Sequence, residues 1–278
     1  VNMLSDCLVE NNSMWIGNDP SSSTDTASNN VAVGTTALDA ITTGDSNVAV
    51  GYNTGTAVTS GASNVLVGHS AGLALEAGNY NVAVGTLALA AEDGHGKNIA
   101  IGYGALQVQN AGADAFNIGI GFNAGTSISN GIRNIIIGGN AGDALTTAND
   151  NTIIGYNAGT AMISSAESVL IGKDAGLSLT TGHYNVAIGD SALNTEDSGG
   201  KNVAIGKSAL ASLNAGGDGN NVAIGYRAGL NMSTGLHNVI VGSEAGDALT
   251  SGLRNVAIGW DALGVENTGS KNVAIGHT

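Results

Sequence analysis

Two pairs of adjacent carboxylates are the residues best suited to catalysis in this sequence. Glu92-Asp93 and Glu196-Asp197 lie 104 positions apart, and a lysine follows each pair, at Lys97 and Lys201. Two carboxylates could serve as the acid and the base or nucleophile of a glycan-cleaving enzyme. A solvated ion pair between each glutamate and its lysine, beside a turn, explains the same residues. We favour the ion pair and expect no catalytic residues, because catalysis needs one well-placed pair and no cleft is implied.

A row of aromatic residues is the best candidate for a binding site. Each ring directly follows a glycine that recurs through the chain. A row of rings could stack on sugars, but it could equally cover a corner of the fold or a seam between chains. The candidate glycan-binding residues are Tyr52, Tyr103, Phe122, Tyr156, Tyr226 and Trp260.

We expect no metal and no cofactor. The five histidines show no ligand spacing, and Asp114 and Asp218 lack the glycine-rich nonapeptide that binds calcium. Lone Cys7 excludes an internal disulfide framework and a cysteine zinc site. No Gly-x-Gly-x-x-Gly motif leads into a helix, which argues against a phosphate-binding loop. The histidines are His69, His95, His183, His237 and His277.

The composition disfavours an ordinary globular domain. The 278 residues include 44 glycines and one proline, with 42% apolar but only 4% aromatic residues, which suits a thin and closely stacked core. The formal net charge of −14 would repel nucleic acid and anionic membranes, so neither is an expected partner. No apolar run reaches the length of a membrane span, so we expect no membrane insertion.

A recurring five-residue motif, the phrase of this repeat, positions the candidate residues. Its most regular copy is Asn202-Val203-Ala204-Ile205-Gly206. Its closing glycine recurs every 17 residues, except for two steps of 19 that end at Gly121 and Gly225. A fixed period of this size indicates a solenoid. The closing glycines are Gly34, Gly51, Gly68, Gly85, Gly102, Gly121, Gly138, Gly155, Gly172, Gly189, Gly206, Gly225, Gly242, Gly259 and Gly276.

The three residues before each closing glycine predict a short strand whose two faces are both apolar. The first and third are Val or Ile in nearly every copy, and the middle one is usually Ala but sometimes Leu, Ile or Gly. Alternate side chains of a strand share one face. We expect the Val and Ile side chains to fill the chain's own core. The Ala column would then run along the opposite face, where small residues allow other chains to approach closely.

The sizes of two side chains after the closing glycine are correlated. The fourth residue after the closing glycine (position four) is Gly or Leu. Where it is Gly, as at Gly55, the seventh residue (position seven) is large and apolar, as at Val58. Where it is Leu, as at Leu89, position seven can be polar, as at Glu92. A core of constant volume would require this exchange.

The period predicts an all-β protein, a parallel β-solenoid with about 17 residues per coil over residues 30–278. Residues 1–29 are interpreted as a lead-in with a degenerate capping copy at Ser13–Gly17. Coils stacked about 4.8 Å apart would bring the asparagines into a hydrogen-bonded ladder. The two longer steps should bulge as loops at about 110–117 and 214–221.

The phrase Asn-Val-Ala-Ile-Gly, followed by two variable residues and Ala, resembles the head repeats of trimeric autotransporter adhesins. That resemblance implies left-handed, β-roll-like coils in a homotrimeric rod. The longer copy at Asn47–Asn53, with its turn at Thr42–Gly44, is more similar to repeats of bacteriophage tail fibres. The text from Leu4 to Ser13 also resembles the lead-in to such repeats in marine phage fibres.

The preferred hypothesis is the structural shaft of a phage tail fibre in the virion, which presents or forms a host-binding surface. Its partners would be two further copies, other virion tail proteins and a host-surface glycan or protein. A continuous apolar stripe exceeds what monomers usually expose, which supports association of the copies. One alternative is the head of a trimeric adhesin on a bacterial cell surface. Another is a polysaccharide depolymerase, which release of reducing ends would reveal.

Overall fold

The structure is a computed structural model that describes residues 7–17 and 24–277. Residues 1–6, 18–23 and 278 lie outside the described residues, so the predicted lead-in is described only in part. The chain forms two compact units, Val1–Asn134 and Ile135–Thr278. Their described residues form strands and turns, and they contain no helix that could cross a membrane.

The first unit is a parallel ladder preceded by a hairpin. Strands β1 and β2 pair antiparallel, and β2 then pairs in parallel with β3, so that Trp15 lies opposite Ala32. This is the place in the repeat that the degenerate copy predicts for Trp15, and β1 covers the edge of β2 that would otherwise be open. The strands are β1 (Cys7–Glu10), β2 (Ser13–Ile16), β3 (Val31–Val33), β4 (Val48–Val50), β5 (Val65–Val67), β6 (Val82–Val84), β7 (Ile99–Ile101) and β8 (Ile118–Ile120).

The second unit is a parallel ladder in which each strand pairs with the next along the chain. Equivalent residues of the repeat lie opposite each other, which confirms a parallel β-solenoid with coils of about 17 residues. The strands are β9 (Ile135–Ile137), β10 (Thr152–Ile154), β11 (Val169–Ile171), β12 (Val186–Ile188), β13 (Val203–Ile205), β14 (Val222–Ile224), β15 (Val239–Val241), β16 (Val256–Ile258) and β17 (Val273–Ile275).

The middle residue of each strand lies inside the coil, which reverses the predicted facing. In β13, Ala204 is fully buried, whereas Val203 and Ile205 are partly exposed. The same pattern holds from β3 to β16. The prediction that Val and Ile fill the chain's own core is therefore wrong. The inside of a coil is too narrow for a large side chain at every position, whereas β-branched residues suit the open face of a strand.

In the core, a large side chain in the strand is accompanied by a glycine in the turn, and a small one by a leucine. A Cβ added to Gly159 or Gly176, each four residues after a closing glycine, would lie 2.9 Å from a δ carbon of Leu170 in β11. The next turn has Leu193 at this position, fully buried between strands whose middle residues are alanines. Leu193 has a φ of 52°, in the left-handed region that glycine adopts readily and leucine rarely. The space available in the core therefore determines whether the strand residue or the turn residue has the large side chain.

The closing glycines are required because consecutive coils touch there. Gly189 has a φ of 136°, and a Cβ on it would lie 2.6 Å from the carbonyl carbon and oxygen of Gly206 in the next coil. Any side chain would hold the coils apart at this corner. This contact explains why the glycine recurs in every coil.

The asparagines form the predicted ladder. The Asn64 Oδ1 atom accepts a hydrogen bond from the Asn81 backbone N–H at 2.9 Å. The Asn64 Nδ2 atom donates to Asn47 Oδ1 at 3.0 Å and to the Gly78 carbonyl at 2.9 Å. Asn64 thus joins neighbouring coils and holds the turn that follows its strand.

Ser168 replaces asparagine in this ladder, and a second serine compensates for the change. The Ser168 Oγ atom still accepts the Asn185 backbone N–H at 3.2 Å, but serine is too short to reach the following turn. The Ser165 hydroxyl donates to the Gly182 carbonyl, which corresponds to the carbonyl that ladder asparagines bind elsewhere. The hydrogen-bonding requirement of the coil is therefore met from another position.

We expect Asn64→Ala to destabilise the protein by about 3 kcal/mol, because each buried group that loses its partner costs roughly 1–3 kcal/mol. Urea unfolding at a fixed protein concentration would measure the change. The control is Asn214→Ala, at an exposed asparagine in a loop, which should change the stability little. Equal effects of the two substitutions would contradict a stabilising role for the ladder.

The two longer coils bulge as predicted. Gly112 and Asp114 are exposed in the first loop, and Gly216 and Asp218 are exposed in the second. A Cβ added to Gly112 or Gly216 would meet no atom within 4 Å. The two extra residues of each coil therefore lie outside the stacked core, and the strands on both sides keep their register.

Candidate functional site

The first and third residues of the strands from β3 onward form an apolar surface in each unit, which we name the Val/Ile face. In the first unit, Val50, Val65 and Ile101 are 36–39% exposed. In the second unit, Ile224 and Val239 are each 38% exposed. Thr152 is the one residue of this face, among those described, that is neither Val nor Ile. The face is therefore an uninterrupted apolar stripe along the first unit and is interrupted once in the second.

The exposed part of each side chain is large enough for association to matter. Covering a third of a Val or Ile side chain stabilises by on the order of 1 kcal/mol, and side chains with this exposure recur along each unit. Contiguous apolar surface on a soluble protein marks an interaction site more often than scattered apolar residues do. The Val/Ile face is consequently a candidate protein–protein interface.

The predicted ring row lies on the surface of both units. All six aromatic side chains are about half exposed. In the first unit, the rings of Tyr103 and Phe122 are stacked, with centroids 5.3 Å apart and planes inclined by 13°. Tyr52 stacks on His69 at 5.5 Å. Sequence reasoning missed His69, although it holds the same position of the repeat as Tyr52.

In the second unit the row of aromatic residues is broken into isolated contacts. The guanidinium of Arg227 lies 5.7 Å from the ring centroid of Tyr226. Trp260 lies against His277 at 4.5 Å. Lys173, Asp190 and Lys207 occupy the ring position in three consecutive coils after Tyr156. The Tyr103–Phe122 pair thus offers the broadest flat aromatic platform, since it presents two stacked and exposed rings.

The predicted ion pairs within the carboxylate turns are wrong. Glu92 and Glu196 are fully buried, and each accepts a hydrogen bond from a backbone N–H of its own turn. The two lysines instead contact aspartates in the bulged loops of the next coil. The Nζ–Oδ2 distances are 2.5 Å in Lys97–Asp114 and 2.5 Å in Lys201–Asp218.

Each glutamate points inward because its carboxylate caps a backbone N–H of its own turn. The hydrogen bond from Lys97 lowers the pKa of the Asp114 carboxyl, and the hydrogen bond to Asp218 raises the pKa of the Lys201 ammonium. Both ion pairs are on the surface and contribute little stability. Neither Glu92 nor Glu196 is placed where a glycan could reach it.

Comparison of the chain with protein-family models, with curated proteins and with solved structures gave no match. The geometry of the Val/Ile face and of the ring row is therefore the basis for a functional assignment.

Proposed function

We propose that the chain is the structural shaft of a phage tail fibre, in which three copies pack through their Val/Ile faces. The Val/Ile face is the observation that carries the proposal, since it leaves two partly exposed apolar side chains on each coil. The coils would be left-handed and β-roll-like, as the resemblance of the repeat implies. The shaft belongs to the virion, and its partners are other tail proteins and a host-surface glycan or protein.

Its mechanism is mechanical and needs no catalytic group. Backbone hydrogen bonds between strands and the asparagine ladder join each coil to the next within a unit. Such bonding resists bending and separation of the coils. Repeated weak contacts along the surface would add avidity for a host cell.

The association is tested by measuring the mass in solution. Light scattering on the purified chain should give three times the mass of a single 27.2 kDa chain. The mass of one chain at micromolar concentration would count against the shaft. The head of a bacterial adhesin is the alternative with the same geometry, and immunolabelling of virions and of bacterial surfaces separates the two.

Host recognition through the rings predicts a measurable effect on glycan binding. Replacing both Tyr103 and Phe122 with serine should weaken binding to host polysaccharide about tenfold, because two stacked rings contribute on the order of 1 kcal/mol. Tyr80→Ser is the matched control, since Tyr80 is 65% exposed and lies outside the ring row. If the double variant binds the polysaccharide with unchanged affinity, the two rings do not contribute to glycan binding.

A depolymerase has less support, because the paired carboxylates are not two exposed groups facing one substrate. Glu92 and Glu196 are buried, and only their neighbours Asp93 and Asp197 have exposed surface. Incubation with host polysaccharide should release no reducing ends. Their release would favour the enzyme.

A further inference from the structure

The turn at Glu92–His95 brings three potential metal ligands together. One ligand atom from each of Glu92, Asp93 and His95 lies within 4.8 Å of the others. The Nδ1 atom of His95 is 3.7 Å from Oε1 of Glu92, which is too long for a hydrogen bond. Glu92 is buried, His95 is partly buried and Asp93 is exposed, so the group opens to solvent on one side.

Two polar atoms of these residues are buried without a partner. Within the described part of the chain, neither Glu92 Oε2 nor His95 Nδ1 has a hydrogen-bond partner, and Glu92 is 0% exposed. An unsatisfied carboxylate oxygen in such a place is costly, and native structures rarely keep one without an ion or water. Burial raises the pKa of the Glu92 carboxyl, although the hydrogen bond from the His95 N–H acts in the opposite direction.

The equivalent turn 104 residues later is an internal control. There the Glu196 carboxylate is satisfied, because Oε1 accepts the Gly199 N–H at 2.7 Å and Oε2 accepts the Ala215 N–H at 3.1 Å. Gly199 stands where the first turn has His95. A Cβ on Gly199 would lie 2.6 Å from Cδ of Glu196, so a side chain at this position and that carboxylate arrangement are incompatible.

Histidine thus changes the hydrogen bonding of the turn. His95 donates its N–H to Glu92 Oε1 at 3.1 Å but leaves Oε2 without a second donor, and it supplies an imidazole nitrogen instead. The turn is held in place by the preceding coil. The Asp93 carbonyl accepts the Glu76 N–H at 2.6 Å, and the His95 carbonyl accepts the Asn81 side chain at 3.2 Å.

We propose that Glu92, Asp93 and His95 bind a divalent transition-metal cation, with Zn²⁺ the best fit. One imidazole nitrogen and two carboxylates are a donor set that zinc accepts, and three protein ligands leave a fourth position for water. Tetrahedral zinc places its ligand atoms about 3.4 Å apart. The 3.7 Å between His95 Nδ1 and Glu92 Oε1 is close to this value, and the exposed Asp93 side chain can close the remaining distance.

The test is a calorimetric titration of the untagged full chain with Zn²⁺ after chelator treatment and dialysis. We expect one Zn²⁺ per chain and a rise in the unfolding temperature when Zn²⁺ is added. His95→Gly, which copies the second turn, should lower the affinity at least tenfold. Glu92→Gln, which keeps an acceptor oxygen for the His95 N–H, should do the same, and circular dichroism verifies that both variants are folded.

Two controls separate this site from unspecific binding at the surface. His237→Gly removes a histidine outside the cluster at a residue whose φ of 60° glycine adopts readily, and it should bind Zn²⁺ like the original chain. Glu196→Gln should also leave the affinity unchanged. The proposal is overturned if Zn²⁺ does not bind, if His95→Gly binds equally well, or if Mg²⁺ and Ca²⁺ bind as tightly as Zn²⁺.

Discussion

Two aspartates on the Val/Ile face, introduced together as Ile224→Asp and Val239→Asp, are expected to separate the assembly into single folded chains. In an isolated chain both side chains are already 38% exposed, so the new carboxylates stay hydrated and folding loses little. In an assembly packed through this face, the same carboxylates would be buried without partners. Burial of an unpaired charge costs several kcal/mol, which exceeds the apolar contribution of the two residues replaced.

Light scattering at one protein concentration would show the mass falling from three chains to one, while the circular dichroism spectrum stays that of a β protein. Ile163→Asp is the matched control, because Ile163 is 49% exposed but follows β10 and does not belong to the Val/Ile face. A general effect of added charge would change the mass of both variants. If the double variant keeps the mass of the original chain, the copies associate through another surface.

The solenoid could be predicted from sequence because its signal is repeated in every coil. A closing glycine, a preceding Val or Ile, and an asparagine four positions before the glycine recur with one period, so local ambiguity in one copy is resolved by the others. The ladder followed from the same regularity. Asn64 and its neighbours must lie over one another once the coils are stacked in register.

The facing of the strands could not be predicted from alternation, because both faces are apolar. The informative signal is the coupling of sizes, which spans three positions of the repeat. Leu170 in the strand coincides with glycine at positions 159 and 176, whereas Ala187 and Ala204 lie on either side of the turn with Leu193. Only residues that share one enclosed volume need to exchange bulk in this way.

The contacts of the carboxylate turns could not be predicted from sequence, because they depend on atomic detail. A glutamate and a lysine five positions apart suggest an ion pair, but the glutamate caps its own turn and the lysine contacts the next coil. The sequence does contain a signal for the Glu92 cluster. His95 differs from Gly199 within an otherwise similar duplicated turn, and this difference is visible only when the two copies are compared.

The second large effect is expected in the core, where Leu170→Ala and Gly176→Leu should each destabilise the protein and should compensate each other when combined. Leu170→Ala removes a fully buried side chain and should cost about 2–5 kcal/mol. Gly176→Leu places a side chain against Leu170, since its Cβ would lie 2.9 Å from a δ carbon. Such overpacking costs typically 1–3 kcal/mol, and the positive φ of 57° adds strain.

The double variant reproduces an arrangement that the chain already uses. Alanine at 170 with leucine at 176 matches Ala204 with Leu210, since Leu213 stands in that turn where the variant has Leu179. Unfolding in urea at a fixed protein concentration should therefore show the double variant losing at least 1 kcal/mol less than the sum of the single losses. Additive losses would mean that the two positions do not share one volume, and the size exchange in the sequence would then need another cause.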